Sequence, residues 1–256
     1  MRQRRHDTLV AVERGSAERA PALLRPRAHY NLKMNVCLFD IDGTLLSSGG
    51  AGKAAIETAL AEEFRVEVKV RVPYSGRTDR AIVRDLFQHH GLEDNSANLQ
   101  KLLDGYLRRL PGCLSRHQGT VLPGIASLLE HLAKEEHVSL GLLTGNVRAG
   151  AQAKLAHYGL DHYFAFGGFG DYHFDRDDVA REAYDAVHRH HNGSVMRERI
   201  WVIGDTPLDI RCARIIGARV AAVATGWHSL AELEADEPDL LFTDFADPAR
   251  LLEMLD

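Results

Sequence analysis

Residues 36–39 form a short unbroken apolar run, the pattern of a strand buried on both faces of a parallel sheet. Over 54–64 the apolar positions recur at helical spacing instead. Two similar stretches follow, about 79–90 and 95–110, with Leu, Ile, Val and Phe on one face and charges on the other. Beyond Pro123-Gly124 helices and strands alternate: a helix over 125–134, a strand over 138–143, a helix over 149–158 and a strand over 163–166. The alternation continues with a helix over 178–189, a strand over 200–203, a helix over 208–216, a strand over 220–223, and a closing strand and helix over 240–242 and 248–255. Gly159 and Gly217 stand where a left-handed residue would end a helix. Strands separated by helices imply a parallel sheet. The pattern therefore predicts an α/β fold: a doubly wound parallel sheet with a helical cap domain inserted after the first strand.

This periodicity is missing at the N-terminus. Residues 1–33 hold Pro21, Pro26 and scattered arginines, with eight Lys or Arg against three Asp or Glu. That stretch carries +5 while the rest of the chain carries −10. Such a composition predicts a disordered basic arm. Its beginning imitates an organellar transit peptide, although Glu13 and Glu18 weigh against one, and Met34 stands ready as a start just before the first strand. The expected division is an arm over 1–33, a core over 34–46 and 121–256, and a cap over 47–120. At 256 residues, 45% hydrophobic and 26% charged, the chain has the balance of a soluble globular protein able to bury one sizeable core and a smaller satellite. It contains no apolar run near the roughly 20 residues that span a bilayer. A net charge of −5 gives no electrostatic case for nucleic acid. Cys37, Cys113 and Cys212 are odd in number and lack metal-ligand spacing, as expected of reduced thiols in a cytoplasmic protein.

In an open parallel sheet, ligands collect outside the carboxyl ends of the strands. Three predicted strands end in polar residues: Asp40 and Asp42 after the first, Thr144, Gly145 and Asn146 after 138–143, and Gly204, Asp205 and Asp209 after 200–203. Asp40 and Asp42, two apart on extended backbone, face the same side and repel one another, a repulsion that a cation with Asp205 as a further ligand would relieve. Oxygen donors without Cys or His suit a hard cation, so the expected cofactor is Mg²⁺. Thr144 and neighbouring amides have the makings of an oxyanion cradle, although a Thr capping the next helix is as common. Asp209 also suits a helix N-terminus, a role compatible with supporting the site.

The string Asp40-Ile41-Asp42-Gly43-Thr44-Leu45 resembles the first motif of the haloacid dehalogenase superfamily. Thr144 and the Gly204-Asp205 to Asp209 segment match further motifs in the same order. The resemblance runs from about Val36 to the C-terminus and is strongest to the phosphoglycolate phosphatase-like group, whose helical cap lies between the first two motifs. It implies that Asp40 is a nucleophile forming an aspartyl-phosphate and that Asp42 is the acid and base. It also implies a cation held by Asp40, the Asp42 carbonyl and Asp205, with Asp209 in support, and phosphoryl oxygens held by Thr144 with Gly145 and Asn146. The implied activity is Mg²⁺-dependent phosphomonoester hydrolysis of a small phosphorylated metabolite, with a sugar phosphomutase or a catalytically idle binding module as alternatives.

One family element is absent: the region 170–181 has no lysine to balance charge on nucleophile and phosphate. Arg176 is the first candidate to replace it, with Arg181 and Lys154 as alternatives. Within 75–79, Thr78 or Asp79 can cap a helix while Arg77 is expected to read a substrate anion, since a similar cap segment faces the substrate in the family. Two further features carry less. The glycines at 49–52 before Lys53 miss a phosphate-loop pattern at Ser47 and Ala54, and His188, His190 and His191 read as a solvated helix end. Removing residues 1–33 is expected to leave the melting temperature and turnover nearly unchanged. Thermal denaturation and a phosphatase assay on the shortened chain check this, and an insoluble or inactive product would show that the arm packs on the domain.

Overall fold

A computed structural model describes residues 34–193 and 195–256, so the arm expected over 1–33 lies outside the described residues. The chain enters through β1 (Asn35–Phe39), then β2 (Leu46–Ser47) and three helices, α1 (Ala51–Phe64), α2 (Asp79–His89) and α3 (Ser96–Arg116). It returns through β3 (Thr120–Val121) to α4 (Ile125–Leu132), β4 (Val138–Leu143), α5 (Arg148–His157), β5 (Phe166–Gly168) and α6 (Arg176–His190). The last third comprises β6 (Ile200–Gly204), α7 (Pro207–Ile216), β7 (Arg219–Val223), α8 (Leu230–Glu234), β8 (Leu240–Phe242) and α9 (Ala249–Leu255).

Six strands pair in parallel in the order β5-β4-β1-β6-β7-β8. The chain builds outward from β1 on one side and then crosses to build outward on the other. The strand order therefore reverses at the carboxyl end of β1, where such sheets open a crevice. Every residue of β1 is buried. Its alternation sends Cys37 and Phe39 into one apolar layer with Leu128, Leu129 and Trp201, and Val36 and Leu38 into the opposite layer with Val179, Val187 and Val202. A third apolar cluster, including Leu60, Phe87, Leu102 and Tyr106, is enclosed by α1, α2 and α3. The antiparallel pairs Leu46 with Val121 and Ser47 with Thr120 tie the two ends of this helical insertion together.

Several boundaries differ from the sequence expectation. The strand expected over 163–166 is β5 at Phe166–Gly168, and Asp161–Tyr163 is instead a 3-10 turn. Gly167 and Gly168 give no apolar signal, yet their bare backbone is needed: a Cβ on Gly168 would lie 2.4 Å from the Val179 carbonyl of α6. Helix α3 continues through Pro111 to Arg116, because burial of Cys113 and Leu114 in the third cluster outweighs the lost proline N–H bond. The five-residue α8 is too short to show periodicity and is held by a capping box between Ser229 and Glu232. Among the described residues no helix is long and apolar enough to cross a membrane.

Candidate active site

The polar residues that follow β1, β4 and β6 meet at the crevice. Asp40 leaves β1 with its amide still bonded to the Ile203 carbonyl at 2.9 Å. The chain then turns at Gly43, whose φ of 88° suits glycine. A Cβ on Gly43 would lie 2.4 Å from Asp205 Oδ2, and one on Gly226 only 1.7 Å from the same atom. Two loops thus close on the Asp205 carboxylate through bare backbone. Thr44 donates its hydroxyl to Asp205 Oδ1 at 3.1 Å, and Thr225 donates to the Gly43 carbonyl at 2.6 Å. Asp209, buried in the first turn of α7, takes the Thr206 amide at 3.0 Å and hydroxyl at 2.7 Å in a capping box. It is therefore both a helix cap and a wall of the site. Carboxylate oxygens of Asp40, Asp205 and Asp209 all lie within 4.8 Å of one another.

Burial of these like charges shifts their protonation. Asp40 is pushed up to about 6 by desolvation, with Arg176 pulling it down and Asp209 and Asp42 pushing it up. Asp205 is pushed up to about 8, by desolvation first and then by Asp209 and Asp40, against the opposing pull of Thr44 and Arg176. Arg176, buried as the first residue of α6, bonds Asp209 through Nη2 and places Nη1 3.6 Å from Asp40 Oδ1. Burial disfavours its charge, but Asp40 and Asp209 more than compensate, so the guanidinium stays ionised. Among the described residues, Asp40 Oδ1 is buried yet accepts no hydrogen bond.

Asp42 has different neighbours. Lys154, buried on α5, pairs with its Oδ2 at 2.5 Å, and Asn146 donates to the same atom at 2.9 Å. The Lys154 ammonium also donates to Asn146 Oδ1 at 2.7 Å, and Asn146 Nδ2 reaches the Thr144 hydroxyl at 2.9 Å. Burial alone would raise the Asp42 carboxyl, but Lys154, Asn146 and Ser48 together hold it below the ordinary range.

Asp40, Asp42, Gly145, Asn146, Lys154, Arg176 and Arg77 border one cavity of about 440 Å³ between the sheet and the helical insertion. Thr144 lies fully buried beneath it. Arg181 stands apart, 59% exposed and paired with Asp178. Arg77 borders the cavity, but its guanidinium pairs with Asp85 at 2.8 Å and donates to the Pro73 and Ala81 carbonyls. Sequence reasoning missed Thr44, Thr225 and the clamping role of Gly226. It also offered only the capping role for Asp79, which is pushed up to about 6 by burial and accepts the Val147 amide at 2.8 Å, while its own amide donates to the Gly145 carbonyl at 2.8 Å. The Thr-Gly pair immediately after an apolar strand, at 225–226, was the signal available for two of them.

The family model for haloacid dehalogenase-like hydrolases matches residues 37–223, which include Asp40, Asp42, Thr144, Asn146, Asp205 and Asp209 but not Thr225 and Gly226. The chain belongs to that family. Within it, this hydrolase is similar to phosphoglycolate phosphatases and to a nucleotidase. It is 28% identical over 222 residues to a phosphoglycolate phosphatase of Synechococcus elongatus, covering 84% of this chain and 95% of that protein. A pyrimidine 5'-nucleotidase of Streptococcus pneumoniae is 25% identical, over 77% of this chain and 84% of its own. The fold is shared with CbbY from Rhodobacter sphaeroides, solved in complex with phosphate, at a TM-score of 0.66 and 19% identity over 84% of this chain and 96% of that one. A predicted phosphoglycolate phosphatase from Haemophilus somnus gives 0.64 at 19% identity, over 87% and 99%.

The raised Asp205 has a measurable consequence for this hydrolase. Between the ordinary 3.8 and about 8, the folded state holds a proton that the unfolded chain has lost, so this group's contribution to stability declines as pH climbs through that window. Asp205→Asn, uncharged and still able to accept from Thr44, removes the dependence. In chelator-treated protein its melting temperature is expected to gain on wild type as pH rises from about 5 to 8. A difference that does not vary with pH would contradict the assignment.

Proposed function

We propose that the protein is a Mg²⁺-dependent phosphomonoester hydrolase of small phosphorylated metabolites, acting in the cytoplasm through an aspartyl-phosphate on Asp40. The observation that carries this reading is Asp40 itself: a strand-end carboxylate bordering a cavity open to solvent, with an oxygen that accepts no hydrogen bond and a guanidinium 3.6 Å away. In the first step an Asp40 oxygen attacks phosphorus, the bond to the ester oxygen breaks, and Asp42 gives that oxygen its proton. In the second, water attacks the same phosphorus, Asp42 takes the water's proton, and Asp40 is released with inorganic phosphate. Ion pairing with Lys154 favours ionised Asp42, the form this second step requires.

Arg176 would bridge Asp40 and the phosphoryl oxygens, filling the place of the family's lysine. Gly145 and Asn146 border the cavity where phosphoryl oxygens would lie, with Thr144 supporting Asn146 from beneath. Arg77 would read a further substrate anion only by exchanging Asp85 for it. The donor set fits a hard divalent cation, since three carboxylates converge without nitrogen or sulfur and one of their oxygens is unsatisfied. Asp40, Asp205 and the Asp42 carbonyl would hold Mg²⁺, with Asp209 in support, and the ion would supply neutralisation of the transferring phosphoryl group. The relatives named as a phosphoglycolate phosphatase and a nucleotidase support monoester hydrolysis as the reaction.

Asp40→Asn is expected to abolish phosphate release from a panel of phosphorylated metabolites while leaving the circular dichroism spectrum intact. Near wild-type rates in that variant would refute the mechanism. Stoichiometric release of inorganic phosphate separates hydrolysis from phosphoryl return to a sugar. In single-turnover phosphorylation, Arg176→Ala should lose roughly a hundredfold, the usual effect of removing one preorganised charge-assisted contact, with Arg176→Lys restoring part of it. A normal rate in Arg176→Ala together with collapse in Lys154→Ala would move the charge-balancing role to Lys154.

A further inference from the structure

The described residues hold two tryptophans in opposite surroundings. Trp201, on β6, is 1% exposed, whereas Trp227 is 89% exposed and borders the cavity that contains Asp40. A lone exposed aromatic is common and needs no explanation when its loop is free. This loop is fastened on both sides. Before Trp227, Thr225 bonds the Gly43 carbonyl at 2.6 Å and Gly226 lies against the Asp205 carboxylate, so its backbone is locked to the turn that carries Asp42. After it, Ser229 is held by a capping box, its amide donating to Glu232 Oε2 at 2.8 Å. The backbone that carries the indole is thus fixed at the rim of the cavity by groups that also shape the carboxylate cluster.

Ile56, Ile82 and Tyr74 from the helical insertion border the same cavity. Its volume of about 440 Å³ exceeds what a phosphoryl group fills and falls in the range of sites for small organic ligands, which combine apolar walls with a few placed polar groups. An indole offers a flat apolar face that stacks on planar rings more favourably than on flexible polar chains. We infer that Trp227 is a specificity-determining residue whose indole packs against a planar ring in the leaving group of a phosphomonoester, an inference that rests on the hydrolase reading above. The substrate class is accordingly ring-bearing phosphomonoesters, of aryl or nucleoside type, in preference to ring-free ones of similar charge.

Because Trp201 is buried, acrylamide quenching reports chiefly on Trp227. In the Asp40→Asn protein with Mg²⁺, phenyl phosphate is expected to shield this fluorescence from acrylamide, while glycerol 3-phosphate and inorganic phosphate bind with little shielding. In the active enzyme, Trp227→Ala should lower the ratio of kcat/KM for phenyl phosphate over glycerol 3-phosphate about tenfold, with Trp227→Phe recovering most of it. Comparing this ratio between variants cancels the intrinsic reactivity of the aryl ester. Phenyl phosphate that is hydrolysed by wild type without shielding Trp227, and an unchanged ratio in Trp227→Ala, would overturn the inference and leave the hydrolase reading standing. If inorganic phosphate does not bind and no ester is cleaved, both fall together.

Discussion

Three carboxylates share one buried corner with a single guanidinium, and much of the local architecture follows from that crowding. Asp40 arrives from the end of β1, Asp205 from the end of β6 and Asp209 from the first turn of α7, and Arg176 bridges Asp40 and Asp209. Breaking a buried ion pair typically costs several kcal/mol, about 3–5, because the remaining charge is left uncompensated. Arg176 therefore fixes the start of α6 relative to β1 and α7, and its carbonyl accepts from Cys212 of α7 at 3.3 Å. The arrangement is two positive charges short of neutral if all three acids ionise, which adds to burial in keeping Asp40 and Asp205 protonated well above the ordinary carboxylate range.

A second cation gives Asp42 the opposite treatment. Two aspartates separated by one residue have environments that move them in contrary directions, Asp40 up and Asp42 down. Divergence of this kind between neighbouring titratable groups is how an active site assigns different tasks to identical side chains. Each aspartate has a cation, Arg176 from α6 and Lys154 from α5; burial and the neighbouring carboxylates outweigh Arg176 at Asp40, whereas Lys154 with Asn146 and Ser48 outweighs burial at Asp42. Asn146 then joins the Lys154 branch to the loop after β4, so the strand that neighbours β1 also helps to orient Asp42.

The polar strand ends were legible because they interrupt apolar runs, and β1, β4 and β6 were readable from those runs alone. The cations were harder. Lys154 is the seventh residue of a helix with small neighbours, and nothing in its local sequence says that it faces inward beside Gly52. Arg176 was preferred to Arg181 only for its position just ahead of a predicted helix, since the sequence does not show which of the two guanidinium groups is buried. Arg77 was read as free to meet a substrate, since its pairing with Asp85 depends on how the loop before α2 folds back along the helix. The bounds of β5 were placed too early because two of its three residues are glycine.

The helical insertion meets the core through several contacts, the apolar one being α3 packed on α5, where Val147 joins the third cluster. At its base, β2 and β3 form a short pair close to the chain's crossing points; at its far side, Asp79 exchanges two hydrogen bonds with the loop after β4. A swing about the base would have to release both Asp79 bonds, each worth only about 1 kcal/mol net, and also part the apolar packing of α3 on α5. The Asp79 carboxylate would at the same time regain water, which offsets part of that loss. Apolar packing of α3 on α5, and not the Asp79 bonds, is accordingly what holds the insertion over the cavity.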